Sequence, residues 1–159
     1  MDAAQILALW VHTVAFVIAW GYYGVLARIV VPSLRRSLIP NDQVVALQTV
    51  ERRALPLVIL SVVLFLASGT YLLVVDPHYA GLGNLFASTW TTLLLIKHVL
   101  VAVLIVLGVA VDYLIRTMGD PANAKPHESD LRLVSLCADG ATACGALIAL
   151  LTVTAQGST

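Results

Sequence analysis

Two histidines and one lysine are the residues of this chain whose types and spacing could support chemistry inside a membrane. His12 lies within the first apolar segment, and Lys97 and His98 stand side by side within the third. Each histidine falls about 10 Å from the predicted outer start of its helix, at 1.5 Å per residue. Two imidazoles at one depth could be the axial ligands of a haem iron, or could bind a copper or zinc ion.

Three interpretations of these histidines stay open. The leading hypothesis is a b-type haem with His12 and His98 as its axial ligands. In the second, a copper-binding transport or resistance protein, the same histidines hold the ion and Cys144 is a third soft ligand. In the third, each histidine only makes an interhelical hydrogen bond, and the protein is a cofactor-free membrane subunit or scaffold. His78 and His127 fall in predicted loops, so a single intramembrane bis-histidine site is expected.

Lys97 is costly to place inside a bilayer, by about 2.5 to 3.5 kcal/mol on insertion scales. Snorkelling of the side chain toward the interface relieves part of that cost. The functional alternative is a cation that binds a haem propionate, a quinone oxygen or an anionic intermediate. This alternative makes Lys97 a candidate catalytic residue as well as a cofactor-binding one.

Three further charged residues, Arg28, Asp112 and Asp139, are predicted to lie at one level near the inner ends of their segments. Asp112 lies about 21 Å from His98 along the same helix. The favoured interpretation is a structural charge cluster that caps the bundle. The alternative is a proton entry route.

The composition shows that helices long enough to hold these residues in a membrane are present. Hydrophobic residues make up 60% of the 159-residue chain and charged residues only 11%, which excludes an ordinary soluble domain. A membrane span needs about 20 apolar residues, and four windows qualify, at roughly 6–31, 54–75, 91–115 and 133–154. The chain is therefore predicted to be one all-α domain, 1–159, folded as a four-helix transmembrane bundle.

The distribution of basic residues predicts the orientation of this bundle. Arginines flank the first and third connections, whereas the second connection, 76–90, contains no Lys or Arg. By the positive-inside rule, both termini are expected on the outer, periplasmic side. We expect the protein in a bacterial inner membrane, with the lipid bilayer as its surroundings and without a nucleic-acid partner.

Four local predictions concern the ends and faces of the helices. The first span should end at Val31-Pro32, since a residue before proline is pushed out of the α region. The loop 33–53 should hold a short amphipathic helix around 44–50, capped by Asn41 or Asp42 and lying at the membrane interface. Pro56 should fall in the first turn of the second span. The small residues of 137–146 predict packing inside the bundle or a homo-oligomeric contact.

Several short motifs resemble one family. They are His12 in the first span, Arg28-Ile29-Val30-Val31-Pro32, Glu51-Arg52-Arg53-Ala54-Leu55, Ser68-Gly69-Thr70-Tyr71-Leu72-Leu73 and Leu93-Leu94-Leu95-Ile96-Lys97-His98-Val99-Leu100-Val101. They are similar to the superfamily that joins CopD-type copper-resistance membrane proteins with HemJ-type protoporphyrinogen oxidases. The resemblance covers about the first three spans.

The resemblance implies a function in redox chemistry or in metal handling. In the HemJ-type branch a first-span histidine and a third-span lysine are functional and a b-type haem is bound; the matching positions here are His12 and Lys97. Asp112 stands in the region where that branch has a further histidine. The pattern around Asp112-Tyr113-Leu114 is closer to the CopD-type branch, whose proposed role is copper handling. The implied activity is electron transfer or oxidoreduction with a quinol- or porphyrinogen-like partner.

Overall fold

The computed structural model describes residues 2–76, 89–118 and 128–156, and four long helical segments account for nearly all of them. The first segment consists of α1 (Ala3–Val25), a π-helical turn (Leu26–Val30) and α2 (Val31–Ser37), without a break. The others are α3 (Pro40–Val75), α4 (Thr89–Met118) and α5 (Glu128–Gln156). The predicted all-α, four-helix architecture is confirmed, and no strand occurs in the described ranges.

The outer surface of these helices is largely apolar. All four segments are long and apolar enough to cross a membrane. Large apolar side chains stand exposed along them, such as Trp10 at 67% and Leu136 at 68% exposure. Apolar surface of this extent is stable only against lipid or a partner. The chain is an integral membrane protein, while the side on which its termini lie stays a prediction.

The helices pack in the cyclic order α1, α3, α4, α5. The closest pairs are α4 with α5 and α1 with α3, and α1 also packs against α5. Contact between α3 and α4 is much sparser. Consequently α1 and α4 lie on one diagonal of the bundle, and the side between α3 and α4 is its most open side.

The pairing of α4 with α5 follows a seven-residue repeat. Their buried positions alternate at spacings of three and four, which is the pattern of a coiled-coil seam. On α4 they are Leu104, Gly108, Val111, Ile115 and Met118, and on α5 they are Leu131, Val134, Ala138, Ala141, Gly145 and Ile148. The small residues of 137–146 thus pack inside the bundle, as predicted. A homo-oligomeric contact through them stays a prediction.

The first helix does not end at Pro32, and that prediction was wrong. Pro32 has no N–H for the carbonyl of Arg28, and its ring would clash with that carbonyl in a regular α-helix. The chain widens into a π turn instead, in which the Val31 N–H donates to the Leu26 carbonyl. One wider turn accommodates the proline, so the helix continues to Ser37.

Residues 44–50 are helical, as predicted, but they belong to α3, so the predictions of a separate interfacial helix and of its cap were wrong. Pro40 is the first residue of α3, and Ile39 takes the capping position in place of Asn41 or Asp42. Pro56 lies inside this helix, which is about 54 Å long. One face of 44–50 is buried in the core, because its apolar face stays in phase with that of the following span.

The apolar core is concentrated in one half of the bundle. Its members are Tyr23, Leu26, Ala27, Val31, Val44, Leu47, Leu104, Val111, Ile115, Met118, Leu131, Val134, Ala138 and Ala141. This half carries the arginines of the first and third connections and is called the basic end below. At the opposite, far end the buried residues are mostly small or polar, such as Ala15, Ser61, Ser68 and Thr91. His12 and Lys97 lie in that less tightly filled half.

Candidate functional site

His12 is turned from α1 toward α3. Its ring stacks on Phe65 with the centroids 4.2 Å apart and an interplanar angle of 21°. His12 Nδ1 lies 3.0 Å from the carbonyl oxygen of Phe65 and 3.2 Å from Ser68 Oγ. Because a carbonyl can only accept, Nδ1 carries the proton of the neutral ring. The lone pair is therefore on Nε2, which has no hydrogen bond to any described residue.

Ser68 and Gly69 give this contact its shape. Ser68 Oγ donates to the Leu64 carbonyl at 2.6 Å, so its lone pairs are left to accept from His12. A Cβ at position 69 would lie 2.8 Å from His12 Cε1, well inside carbon–carbon contact distance. Glycine is thus needed for the imidazole to lie flat on α3.

Lys97 faces the interior of the bundle. It lies seven residues before Leu104 on α4, on the same buried face, and is half-buried. It is close enough to His12 for its positive charge to act on the imidazole. Among the residues that the structure describes, none forms an ion pair or hydrogen bond with Lys97. The lysine therefore offers an ammonium group for an anionic or carbonyl oxygen.

His98 faces away from this pair. It is exposed, and its Nδ1 lies 2.7 Å from the carbonyl oxygen of Leu94 on its own helix. Adjacent residues are about 100° apart around an α-helix, so His98 points outward when Lys97 points inward. His12 and Lys97 both face the interior of the far half, whereas His98 faces outward, so the bis-histidine arrangement is not present in the structure.

Arg28, Asp112 and Asp139, which were predicted to lie at one level, belong to two separate groups at the basic end. Arg28 Nε lies 2.8 Å from Asp139 Oδ1, with side-chain exposures of 75% and 37%. Ion pairs this exposed contribute little to stability. Asp112 belongs instead to a cluster with Arg116 and Glu51, in which Arg116 Nε donates to Asp112 Oδ1 at 2.8 Å.

Glu51 is the residue of this cluster that sequence reasoning missed. It lies on α3, is only 4% exposed and has its Oε1 4.0 Å from Arg116 Nε. One turn earlier, Gln48 Nε2 donates to the Ile115 carbonyl at 3.2 Å, which holds α3 against α4 here. The signal was present in the spacing of Val44, Leu47, Glu51 and Val58, all on the buried face of α3.

Soft or acidic metal ligands do not gather elsewhere in the described ranges. No group of three or more His, Cys, Asp or Glu side chains there could hold a metal ion. Cys144, the third ligand of the copper alternative, is half-buried and packs against the apolar core. His78 and His127 lie outside the described residues.

Comparisons of the chain with protein-family models, with curated proteins and with solved structures found no match. Fold and geometry therefore define the protein by class alone. It is a four-helix integral membrane protein in which His12 and Lys97 face the interior of the far half, and Glu51 is buried beside Asp112 and Arg116 at the basic end.

Proposed function

We propose that the protein binds a b-type haem in the far half of the bundle, with His12 as an axial ligand. The observation that carries this proposal is the His12 ring, whose Nδ1 proton is held by the Phe65 carbonyl while Nε2 keeps a free lone pair. Metal-ligating histidines commonly donate their other ring N–H to a backbone carbonyl in this way, which fixes the tautomer and the ring orientation.

Lys97 is proposed as the cation that binds a haem propionate or an oxygen of the redox partner. A half-buried ammonium inside a membrane needs such a counter-group. The resemblance to HemJ-type proteins singles out the same two positions, His12 and Lys97, and His12 lies within range of the charge of Lys97. This supports one site shared by His12 and Lys97 over two unrelated polar residues inside the membrane.

The surroundings fit a flat group. Contact between α3 and α4 is sparse, and their described hydrogen bonds and ion pairs lie at the basic end, at Gln48 and Glu51. Ala15 and Gly69 flank His12 with minimal side-chain volume, which allows close approach of a planar ligand. We infer that a macrocycle would enter the far half between α3 and α4, where contact is sparse.

The proposed activity is electron transfer or oxidoreduction with a quinol- or porphyrinogen-like partner. When bound, the haem supplies the redox chemistry; the chain supplies ligation, orientation and low-dielectric surroundings. His12 would hold the iron, and Lys97 would bind an acidic or carbonyl group beside it. His98 has no part in this arrangement, which makes it a matched control.

Absorption spectra of the purified full-length protein test the proposal. We expect a Soret band from the wild type, its loss in His12→Ala and its retention in His98→Ala, with circular dichroism confirming that each variant is folded. A wild-type protein that stays colourless after incubation with haemin would refute haem binding. Stoichiometric copper in that protein would favour the copper alternative. A protein that binds neither haem nor copper would favour the scaffold alternative. Loss of the band in both variants would instead support bis-histidine ligation.

A further inference from the structure

The charged groups that meet between α3 and α4 at the basic end do not balance. Two carboxyl groups, Glu51 and Asp112, face a single guanidinium, Arg116. Arg116 Nε is bound to Asp112 Oδ1 at 2.8 Å, whereas Glu51 Oε1 is 4.0 Å away from it, beyond hydrogen-bonding distance. With both acids ionised, the cluster would carry one net negative charge inside the protein.

Glu51 shows where that imbalance is located. Its Oε1 is shielded from solvent and has no hydrogen-bond partner. Leaving an ionised oxygen in that state is costly. Both carboxyl groups lie within 4.0 Å of the same nitrogen, Arg116 Nε, and are therefore close to each other. Two like charges that share one site oppose each other's ionisation, so the arrangement favours one proton on the pair.

We propose that Glu51 and Asp112 form a proton-binding site that holds one proton and exchanges it with water at the basic end. Proton uptake forms an O–H bond on Glu51, which donates to Asp112, and the three groups become neutral together. Release of the proton to water breaks that bond and leaves two carboxylates beside one guanidinium. A metal cation is a poor alternative occupant, since Arg116 already supplies a positive charge next to both oxygens.

The exposure of the three side chains defines a route for the proton. Arg116 is 61% exposed, Asp112 29% and Glu51 6%. Asp112 is therefore the acceptor that water reaches, and Glu51 is the group that stores the proton. A carboxyl pair of this kind, embedded between membrane-spanning helices, is typical of proton-handling positions in membrane proteins.

Two tyrosines of α1, Tyr22 and Tyr23, lie within range of the charge of Asp112. They contact each other edge to face, with ring centroids 5.2 Å apart. The Tyr23 hydroxyl lies against Gly108, one turn above Asp112 on α4. The Tyr23 hydroxyl thus places a polar group about one helical turn from Asp112.

Four other charged residues near this end either lie on outer faces or pair with each other. Arg52 and Arg53 adjoin Glu51 in sequence but are exposed on the outer faces of α3. Arg28 and Asp139 neutralise each other. Proton binding by Glu51 and Asp112 does not require a bound haem, because neither residue belongs to the His12–Lys97 site.

Infrared spectroscopy of the full-length protein in phosphatidylcholine vesicles, recorded across a pH series, tests this inference. The wild type should show the carbonyl-stretch band of a buried protonated carboxyl, and the band should fade as the pH rises. Glu51→Gln mimics the protonated acid, so this variant should fold and should lack the band. Asp42→Asn, which alters an exposed carboxyl in the first turn of α3 at the same end, should keep it.

Asp112→Asn provides a second measurement that does not depend on the behaviour of Glu51→Gln. It removes the partner carboxyl and should move the midpoint of the band by about one pH unit or more, since the two sites titrate as a coupled pair. The inference is overturned if the wild type shows no protonated carboxyl at any pH at which it is folded. It is equally overturned if neither substitution changes the band.

Discussion

Gly69→Ala tests the position of His12 more directly than any other substitution. The new Cβ would lie 2.8 Å from His12 Cε1, whereas carbon atoms in contact prefer about 3.5 to 4.0 Å. The imidazole must therefore retreat from α3 by roughly 1 Å. Its Nδ1 now lies 3.0 Å from the Phe65 carbonyl oxygen, and such a shift takes it out of hydrogen-bonding range.

The energetic terms of this substitution have opposite signs. Overpacking of a tight contact costs about 1 to 3 kcal/mol, and the broken hydrogen bond costs about 0.5 to 1.5 kcal/mol. Alanine gains about 1 kcal/mol over glycine in helix propensity. The net expectation is a loss of about 2 kcal/mol in the free energy of unfolding, with the two costs outweighing the gain.

Unfolding of the detergent-solubilised protein by a denaturant measures this loss, and Gly21→Ala is the matched control. No atom lies within 4 Å of a Cβ at position 21, so that substitution should keep the helix-propensity gain and stabilise the protein. Nitrogen NMR of the histidines shows which ring nitrogen of His12 carries the proton, and so whether the hydrogen bond to Phe65 persists. Equal stabilisation by both alanines, with an unchanged tautomer, would show that His12 does not lie against Gly69.

Two other substitutions have expected effects of opposite sign. Gly145→Ala places a methyl group in the ring of Trp20, whose Nε1 donates to the Thr142 carbonyl at 2.8 Å. We expect the free energy of unfolding to fall by about 1 to 3 kcal/mol and the Trp fluorescence to change. Unaltered stability would contradict the packing of α1 on α5. Lys97→Met should stabilise the apoprotein by up to about 3 kcal/mol, because it removes a charge from the membrane interior. Lys97→Arg keeps the charge and should not stabilise it. Destabilisation by methionine would mean that the ammonium group has a partner in the folded protein.

The presence of four spanning helices was predictable because each apolar window exceeds the length of a span. The ends of the helices were not. Pro32 was expected to stop the first helix, yet one π turn removes the clash with the Arg28 carbonyl at the cost of a single wider turn. Pro40 at the first turn of α3 costs nothing, because its missing N–H would have no partner there. The hydropathy profile contains neither effect.

The choice between Lys97 and His98 could have been made from the sequence. Lys97 and His98 both lie at the depth of His12. Depth alone, however, does not give the direction in which a side chain points around the helix axis. The seven-residue repeat that buries Leu104 and Val111 extends back to position 97 and not to position 98. Both adjacent residues could not face His12, and the repeat selects the lysine.

The burial of Glu51 was not predicted because its neighbours in sequence are charged. Next to Arg52 and Arg53 it reads as part of a solvated charge run at the edge of the membrane. On α3, however, it shares a face with Leu47 and Val58, while the two arginines lie on the outer faces. Only the continuation of α3 back to Pro40 makes that face long enough to bury a carboxyl.

The two sites lie in opposite halves of one bundle, and the packed layer between them limits how strongly they can act on each other. Lys97 and Asp112 are about 22 Å apart along α4, with Leu104 and Val111 buried between them. At that distance and an effective dielectric constant of about 20, one unit charge acts on another by about 0.75 kcal/mol. That energy changes a proton affinity by only about 3.5-fold, so electron transfer at His12 and proton binding at Glu51 would be coupled weakly unless the helices themselves move.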